Sequence, residues 1–368
     1  FFLFLMFGIT RRILFVLVAL VAILYYKRRP EIIQPSVNLC GAVQVHQPTG
    51  LSDFLPGICR KVHVSHQDIV SQVYDCGSDT ATNTVILLHG FPDNAKTWRK
   101  QIEPLISEGY RVLAPNLRGY DSTSHGDNYH VTALTTDILC ITKALDITSY
   151  DVIGHDWGAL VAHSLAITDP SRVRTITSVA VPPQFVKFGA KMIAKYPTQM
   201  LNSWYFSFFQ LPFIPELALT KTDFLINYLV TSWSPSFDWK NDPHHHIEEI
   251  ANTFKISGVA SSALSYYRQN SIAFIEDAIG NVLQGGAPYL DIAHPVRGLI
   301  PVDTLLITGR DDGCVTTDMY DEELDNIFVN GIFKKTVRLS GGHYIHYESP
   351  KEFNQHVIQF LSRRPSKA

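Results

Sequence analysis

The chain has 368 residues, 46% of them hydrophobic, enough for one large core or for a core domain with a sizeable insertion. Its 31 Lys and Arg stand against 34 Asp and Glu, a formal net charge of -3, so charge gives no case for a nucleic-acid partner. Five cysteines (Cys40, Cys59, Cys76, Cys140, Cys314) have no CxxC or zinc-ligand spacing. The odd, scattered count reads as free thiols facing a reducing compartment, and the absence of any N-x-S/T acceptor agrees with cytosolic exposure.

The N-terminus has a composition of its own. Residues 1–9 are almost wholly apolar, Arg11 and Arg12 follow, 13–26 carry no charge, and Lys27-Arg28-Arg29-Pro30 closes the segment. The uncharged run is roughly 14 residues, ~21 Å as a helix at ~1.5 Å per residue. That is short of a ~30 Å hydrocarbon core, but snorkelling arginines and the apolar residues before Arg11 close the gap. A cleaved signal peptide competes, yet Tyr25-Tyr26-Lys27-Arg28 lacks the small residues of a cleavage site. Residues 1–30 are therefore expected to form an uncleaved single-pass anchor in membrane lipid, with Met6 a candidate start. Lys27, Arg28 and Arg29 outweigh Arg11 and Arg12, which favours a cytosolic C-terminal domain, expected at the endoplasmic reticulum.

Residues 31–58 contain Pro35, Gly41, Pro48, Gly50, Pro56 and Gly57 and read as an irregular linker. From 59 to 183 strand and helix patterns alternate. Val62–Val64 and Ile69–Tyr74 read as a hairpin, and Thr84–Leu88 as a buried parallel strand ending at His89-Gly90-Phe91-Pro92-Asp93, with Pro92 a candidate cis proline. Trp98–Glu108 and Thr132–Leu145 read as helices; Arg111–Ala114, Tyr150–Ile153 and Val173–Val181 read as strands. The alternation stops at Pro182-Pro183. Residues 184–298 are rich in aromatics and have helical apolar spacing, the mark of a helical cap inserted into the core. Strand patterning returns in 299–368 at Thr304–Thr308 and Thr336–Leu339, with a last helix from Lys351 to Leu361. The expected architecture is an α/β fold with a mostly parallel central sheet.

The most informative segment is Gly154-His155-Asp156-Trp157-Gly158, between an apolar strand and an Ala/Leu-rich helix. It has the G-x-Nuc-x-G form of a nucleophile elbow, with Asp156 at the nucleophile position. A carboxylate is a poor acyl-transfer nucleophile, since attack on an ester gives a mixed anhydride. Toward a saturated electrophilic carbon it forms a stable alkyl ester, which points to epoxides or alkyl halides. An Asp that merely caps the helix is the plain alternative.

Three further strand ends complete a constellation. Gly309-Arg310-Asp311-Asp312-Gly313 offers an acid to orient a histidine, with Asp312 preferred over Asp311; Asp-Gly is also common turn chemistry. Gly341-Gly342-His343 offers the base, with His346 the structural alternative. The order nucleophile, acid, base fits an α/β-hydrolase triad. The backbone N–H groups of Phe91 and Trp157 are placed to form an oxyanion hole for the second half-reaction.

With His89-Gly90-Phe91-Pro92, Leu117-Arg118-Gly119-Tyr120, the elbow, Gly309–Asp312 and Gly342-His343 with Glu348 and Pro350, the chain resembles an epoxide hydrolase of the α/β-hydrolase superfamily. The resemblance runs from about residue 60 to the C-terminus, and the N-terminal segment is similar to that of membrane-anchored members. It implies a small lipophilic epoxide and water as reactants, and two cap tyrosines that protonate the epoxide oxygen. These match Tyr205 and Tyr267, with Tyr266 the nearest competitor. Haloalkane dehalogenases share the triad and the Trp, but many carry an Asn donor where this chain has Phe91; epoxide is preferred over halide. A catalytically silent ligand-binding protein is the alternative from another class. No Gly-rich phosphate loop occurs, so no nucleotide cofactor is implied. His244-His245-His246 has no partner cluster that would make it a metal site.

Overall fold

A computed structural model of the chain describes residues 33–46, 52, 54–120, 125–183, 195–270, 299–321 and 327–363. The expected anchor at 1–30 lies outside them. Among the described residues no helix is long and apolar enough to cross a membrane.

Among the described residues nine strands form one sheet: β1 (Val43–His46), β2 (Cys59–His66), β3 (Ile69–Cys76), β4 (Asn83–Leu88), β5 (Tyr110–Pro115), β6 (Tyr150–His155), β7 (Val173–Val179), β8 (Asp303–Gly309) and β9 (Lys334–Leu339). Their order is β1-β2-β3-β5-β4-β6-β7-β8-β9. The β2–β3 hairpin is antiparallel and joins β5 antiparallel; every pair from β5 to β9 is parallel. The core helices are α1 (Arg99–Ser107), α2 (Val131–Ala144) and α3 (Trp157–Thr168). The cap contributes α4 (Pro197–Asn202), α5 (Trp204–Phe208), α6 (Ile214–Lys221), α7 (Phe224–Trp233), α8 (His246–Lys255) and α9 (259–270). The short α10 (Ile345–Glu348) and then α11 (Pro350–Leu361) close the core.

Successive side chains of a strand point to opposite faces, and the central strands use both. In β4, Ile86 and Leu88 pack into the cluster beneath α2 and α3. Val85 and Leu87 pack into the other, with Trp98, Ile102, Phe353 and Val357 of the α1 and α11 side. A strand buried on both faces reads as a continuous apolar run, which is why Thr84–Leu88 is legible without alternation.

Two expectations are corrected here. The stretch 31–58 is not wholly irregular: residues Val37–Cys40 form a 3₁₀ turn and β1 extends the sheet antiparallel to β2. The reading of five free thiols also fails. Cys40 is disulfide-bonded to Cys140 and Cys59 to Cys76; Cys314 alone is free, and buried. Neither partner was legible, because pairing depends on two cysteines facing across β2–β3 and on a 3₁₀ turn docking against α2.

Candidate active site

Asp156 stands between β6 and α3 with φ 52 and ψ -118, a conformation that L-residues rarely adopt. Its side chain makes no capping bond to α3, so the capping alternative does not hold. The turn is possible because a Cβ at Gly154 would lie 2.2 Å from the Gly158 carbonyl oxygen. The cost of the strained turn, of order 1–3 kcal/mol, is met by packing around it.

The two carboxylate oxygens have different surroundings. Oδ1 accepts a 2.8 Å hydrogen bond from the Phe91 N–H. Oδ2 lies 3.7 Å from His343 Nε2. A Cβ at Gly90 would come within 2.5 Å of Oδ1, so this close approach of the β4 loop needs glycine. His343 Nδ1 lies 3.1 Å from Asp312 Oδ2, and the other Asp312 oxygen accepts from the N–H groups of Cys314 and Val315. Asp311, by contrast, is exposed and accepts from Ser236 Oγ. His346 is buried against Thr97 Oγ1 at 2.8 Å, in a structural position.

The buried Nε2 of His343 therefore faces the nucleophile, while its Nδ1 is held by Asp312. Burial opposes charge on this imidazole, but Cys314, Asp312 and Asp156 outweigh it and hold its pKa well above the ordinary value. Burial pushes the Cys314 thiol up in turn, so near neutral pH it is uncharged and the carboxylates hold the proton. Two neighbouring imidazoles stay neutral. Burial lowers His155 to about 3 and His89 to about 4. His155 Nε2 lies 3.0 Å from the His343 carbonyl, and His89 Nε2 accepts from the Leu117 N–H.

The cap closes over this group. Tyr205, on α5, has its hydroxyl 3.3 Å from Cys314 Sγ. Tyr267, on α9, is set edge-on to Phe91 and Trp157, each ring centre 5.1 Å away. Burial, reinforced by Asp156, raises both phenols well above their ordinary pKa, so they remain protonated. Tyr266 faces elsewhere and donates to the Arg118 carbonyl at 2.7 Å. A small pocket between Asp156, Trp157, Leu160, Tyr205, Phe206 and Val315 lies between nucleophile and cap.

Sequence reasoning missed Trp233 and Ser234. The Trp233 carbonyl accepts from both Gly313 N–H and His343 N–H, each at 3.0 Å, tying the acid and base loops to the end of α7. Ser234 Oγ donates to Glu348, which also accepts from Gly342 N–H. One acts through a backbone carbonyl and the other through a small hydroxyl at the end of an aromatic cap helix, and no motif announces either. Among the described residues no group of three or more His, Cys, Asp or Glu is placed to hold a metal ion.

The alpha/beta hydrolase fold family matches the chain over residues 83–350. The chain belongs to that family. This alpha/beta hydrolase is 29% identical over 329 residues to "Epoxide hydrolase 4" of Homo sapiens, covering 88% of this chain and 84% of that protein. It is 35% identical over 288 residues to "AB hydrolase superfamily protein YfhM" of Bacillus subtilis, covering 76% and 90%. In fold it is similar to Epoxide Hydrolase A from Mycobacterium thermoresistibile, with a TM-score of 0.66 at 23% identity over 82% of this chain and 98% of that one. An epoxide hydrolase from Vigna radiata gives a TM-score of 0.62, also at 23% identity, over 82% and 97%.

Proposed function

We propose that this alpha/beta hydrolase is an epoxide hydrolase that converts lipophilic epoxides to vicinal diols through a covalent Asp156 ester. The observation that carries the reading is the division of labour at Asp156: one oxygen toward His343, the other on the Phe91 N–H, and two protonated phenols above.

In the first step Oδ2 attacks an epoxide carbon. The C–O bond opens as Tyr205 and Tyr267 pass a proton to the departing oxygen. An alkoxide is far more basic than a phenolate, so even a phenol of raised pKa is a competent donor. Alkylation also removes the negative charge from Asp156. His343 then loses one of the carboxylates that hold its proton; that proton passes through solvent to the phenolate left by ring opening, and His343 becomes a base. In the second step His343, oriented by Asp312, takes a proton from water, and the hydroxide attacks the ester carbonyl carbon. Negative charge gathers on Oδ1, already at the Phe91 N–H, with the Trp157 N–H as the second proposed donor. Collapse of this adduct breaks the bond between the Asp156 carbonyl carbon and Oδ2, His343 gives its proton to the departing alkoxide, and the diol leaves with Oδ2 while the water oxygen stays in the carboxyl group, whose proton returns to His343.

The haloalkane reading has less support. A halide needs donors at the site, and the Phe91 side chain instead packs against Phe209, Phe254 and Tyr267. Turnover of a panel of lipophilic epoxides and matched alkyl halides tests the choice. Diol from epoxides without halide release is expected; halide release without diol overturns the reading, and no turnover of either returns the binding-protein alternative.

The N-terminal segment at 1–30 is proposed as the membrane anchor. The two disulfides support a catalytic domain on the lumenal or extracellular side, where such bonds persist, in place of the expected cytosolic one. The margin of three basic residues over two never fixed orientation strongly.

A further inference from the structure

We propose that His246 and Asp93 form a positioning pair, through which cap helix α8 sets the direction of the Phe91 N–H. The inference rests on the covalent-ester reading above.

Helix α8 presents His246, Glu249, Ile250, Thr253 and Phe254 at i, i+3, i+4, i+7 and i+8, one helical face. That face lies along the loop leaving β4. His246 Nε2 is 3.0 Å from Asp93 Oδ2, with both side chains at most 1% exposed. Thr253 Oγ1 accepts from Asn94 Nδ2 at 2.9 Å, Glu249 pairs with Arg99 and Lys96, and the Phe254 ring meets Phe91 edge-on at 5.7 Å. Gly90 to Asp93 form a four-residue turn, closed by the Asp93 N–H on the Gly90 carbonyl at 3.0 Å. Phe91 lies inside that turn. Its N–H points at Asp156 Oδ1 only while the turn keeps its orientation, and Asp93 is the turn residue the cap grips by an ion pair.

Energetics argue that this pair is not there for stability alone. Two buried charges lose several kcal/mol each in hydration, and their attraction roughly repays it; well-packed apolar residues would hold the cap as firmly. What the pair adds is a single direction of contact. The oxyanion forms only in the second step, so a loosened turn should slow ester hydrolysis while leaving alkylation nearly intact.

Burial opposes the charge on His246, but Asp93 and Glu249 outweigh it and hold its pKa at about 9. Asp242 accepts its backbone N–H, and Tyr347, Trp239 and Tyr344 pack against the ring. Burial drives Tyr344 and Tyr347 up and His346 down, so these keep one charge state on the mildly alkaline side. Lys100 lies over the Tyr347 ring and burial lowers its pKa, and the variant below separates its contribution.

The test is rapid-quench single-turnover kinetics on the full chain, with styrene oxide as probe and intact mass to follow the ester. His246→Gln and Thr253→Val should each leave alkylation within about two-fold of the parent and slow ester hydrolysis by about ten-fold or more, so the ester accumulates. The parent hydrolysis step should weaken as pH rises through about 9, and His246→Gln should lack that limb. Equal slowing of both steps, or an unchanged ester fraction in a folded variant, overturns the proposal. If His246→Gln does not fold, Thr253→Val decides by the same ratio. Absence of any ester in the parent would instead sink the covalent reading, a separate result.

Discussion

At the residue scale, the proposed chemistry rests on one substitution of type: a carboxylate, Asp156, where an elbow usually holds a hydroxyl or thiol. Asp156, Asp312 and His343 were legible because each ends a strand beside glycine, and the structure brings the three together. The choice between neighbours was harder. Asp312 over Asp311 and Tyr267 over Tyr266 depend on which way a loop or helix turns, which no spacing in the sequence shows. The tyrosines allow a direct check. Either Tyr205→Phe or Tyr267→Phe leaves one phenol, and alkylation should slow by about ten-fold; the double variant should lose the full contribution of general acid help, about 10²–10⁴-fold. Tyr266→Phe, which loses only a bond to the Arg118 carbonyl, should alkylate at nearly the parent rate. Stopped-flow traces of a single turnover distinguish these outcomes, and a Tyr266→Phe defect as large as that of Tyr267→Phe would reverse the assignment.

At the element scale, strand ends do the positioning and cap helices refine it. The central parallel strands β4, β5, β6 and β8 were readable largely from apolar runs, since both their faces are buried, whereas the edge strand β9 alternates. The clamps were not readable. Trp233 works through its carbonyl, and His246 looked like one of three adjacent histidines until its helix face was known. The buried His246–Asp93 pair also makes a stability prediction. The His246 pKa rises from 6.5 to about 9 on folding, so its contribution is complete below about 6.5 and lost as pH rises through about 9. At about 1.4 kcal/mol per pH unit this is on the order of 3 kcal/mol. The depressed pKa of Asp93 is the same interaction seen from its partner and is not added. Thermal melts should show the parent losing stability across that window and His246→Gln staying flat; parallel curves would show that the pair does not link folding to pH.

At the scale of the whole molecule, the two disulfides support the proposed lumenal or extracellular setting of this hydrolase. Cys40 and Cys140 are 100 residues apart, so their bond ties the segment before the sheet to the core and closes a long loop. Replacing both with Ser should cost about 2–5 kcal/mol, read as a lower melting temperature, with turnover unchanged. Thiol counting on protein alkylated at lysis should find Cys314 alone reactive after denaturation; five reactive thiols would return the domain to a reducing compartment. The fold, the cap and the triad nevertheless converge on a single claim, that oxygen passes through Asp156. Single turnover with excess enzyme in 18O-labelled water tests it most directly. The account predicts unlabelled diol in the first turnover, label in the Asp156 carboxylate, and labelled diol only in later turnovers. Labelled diol in the first turnover would contradict it, because water would then have attacked the epoxide itself.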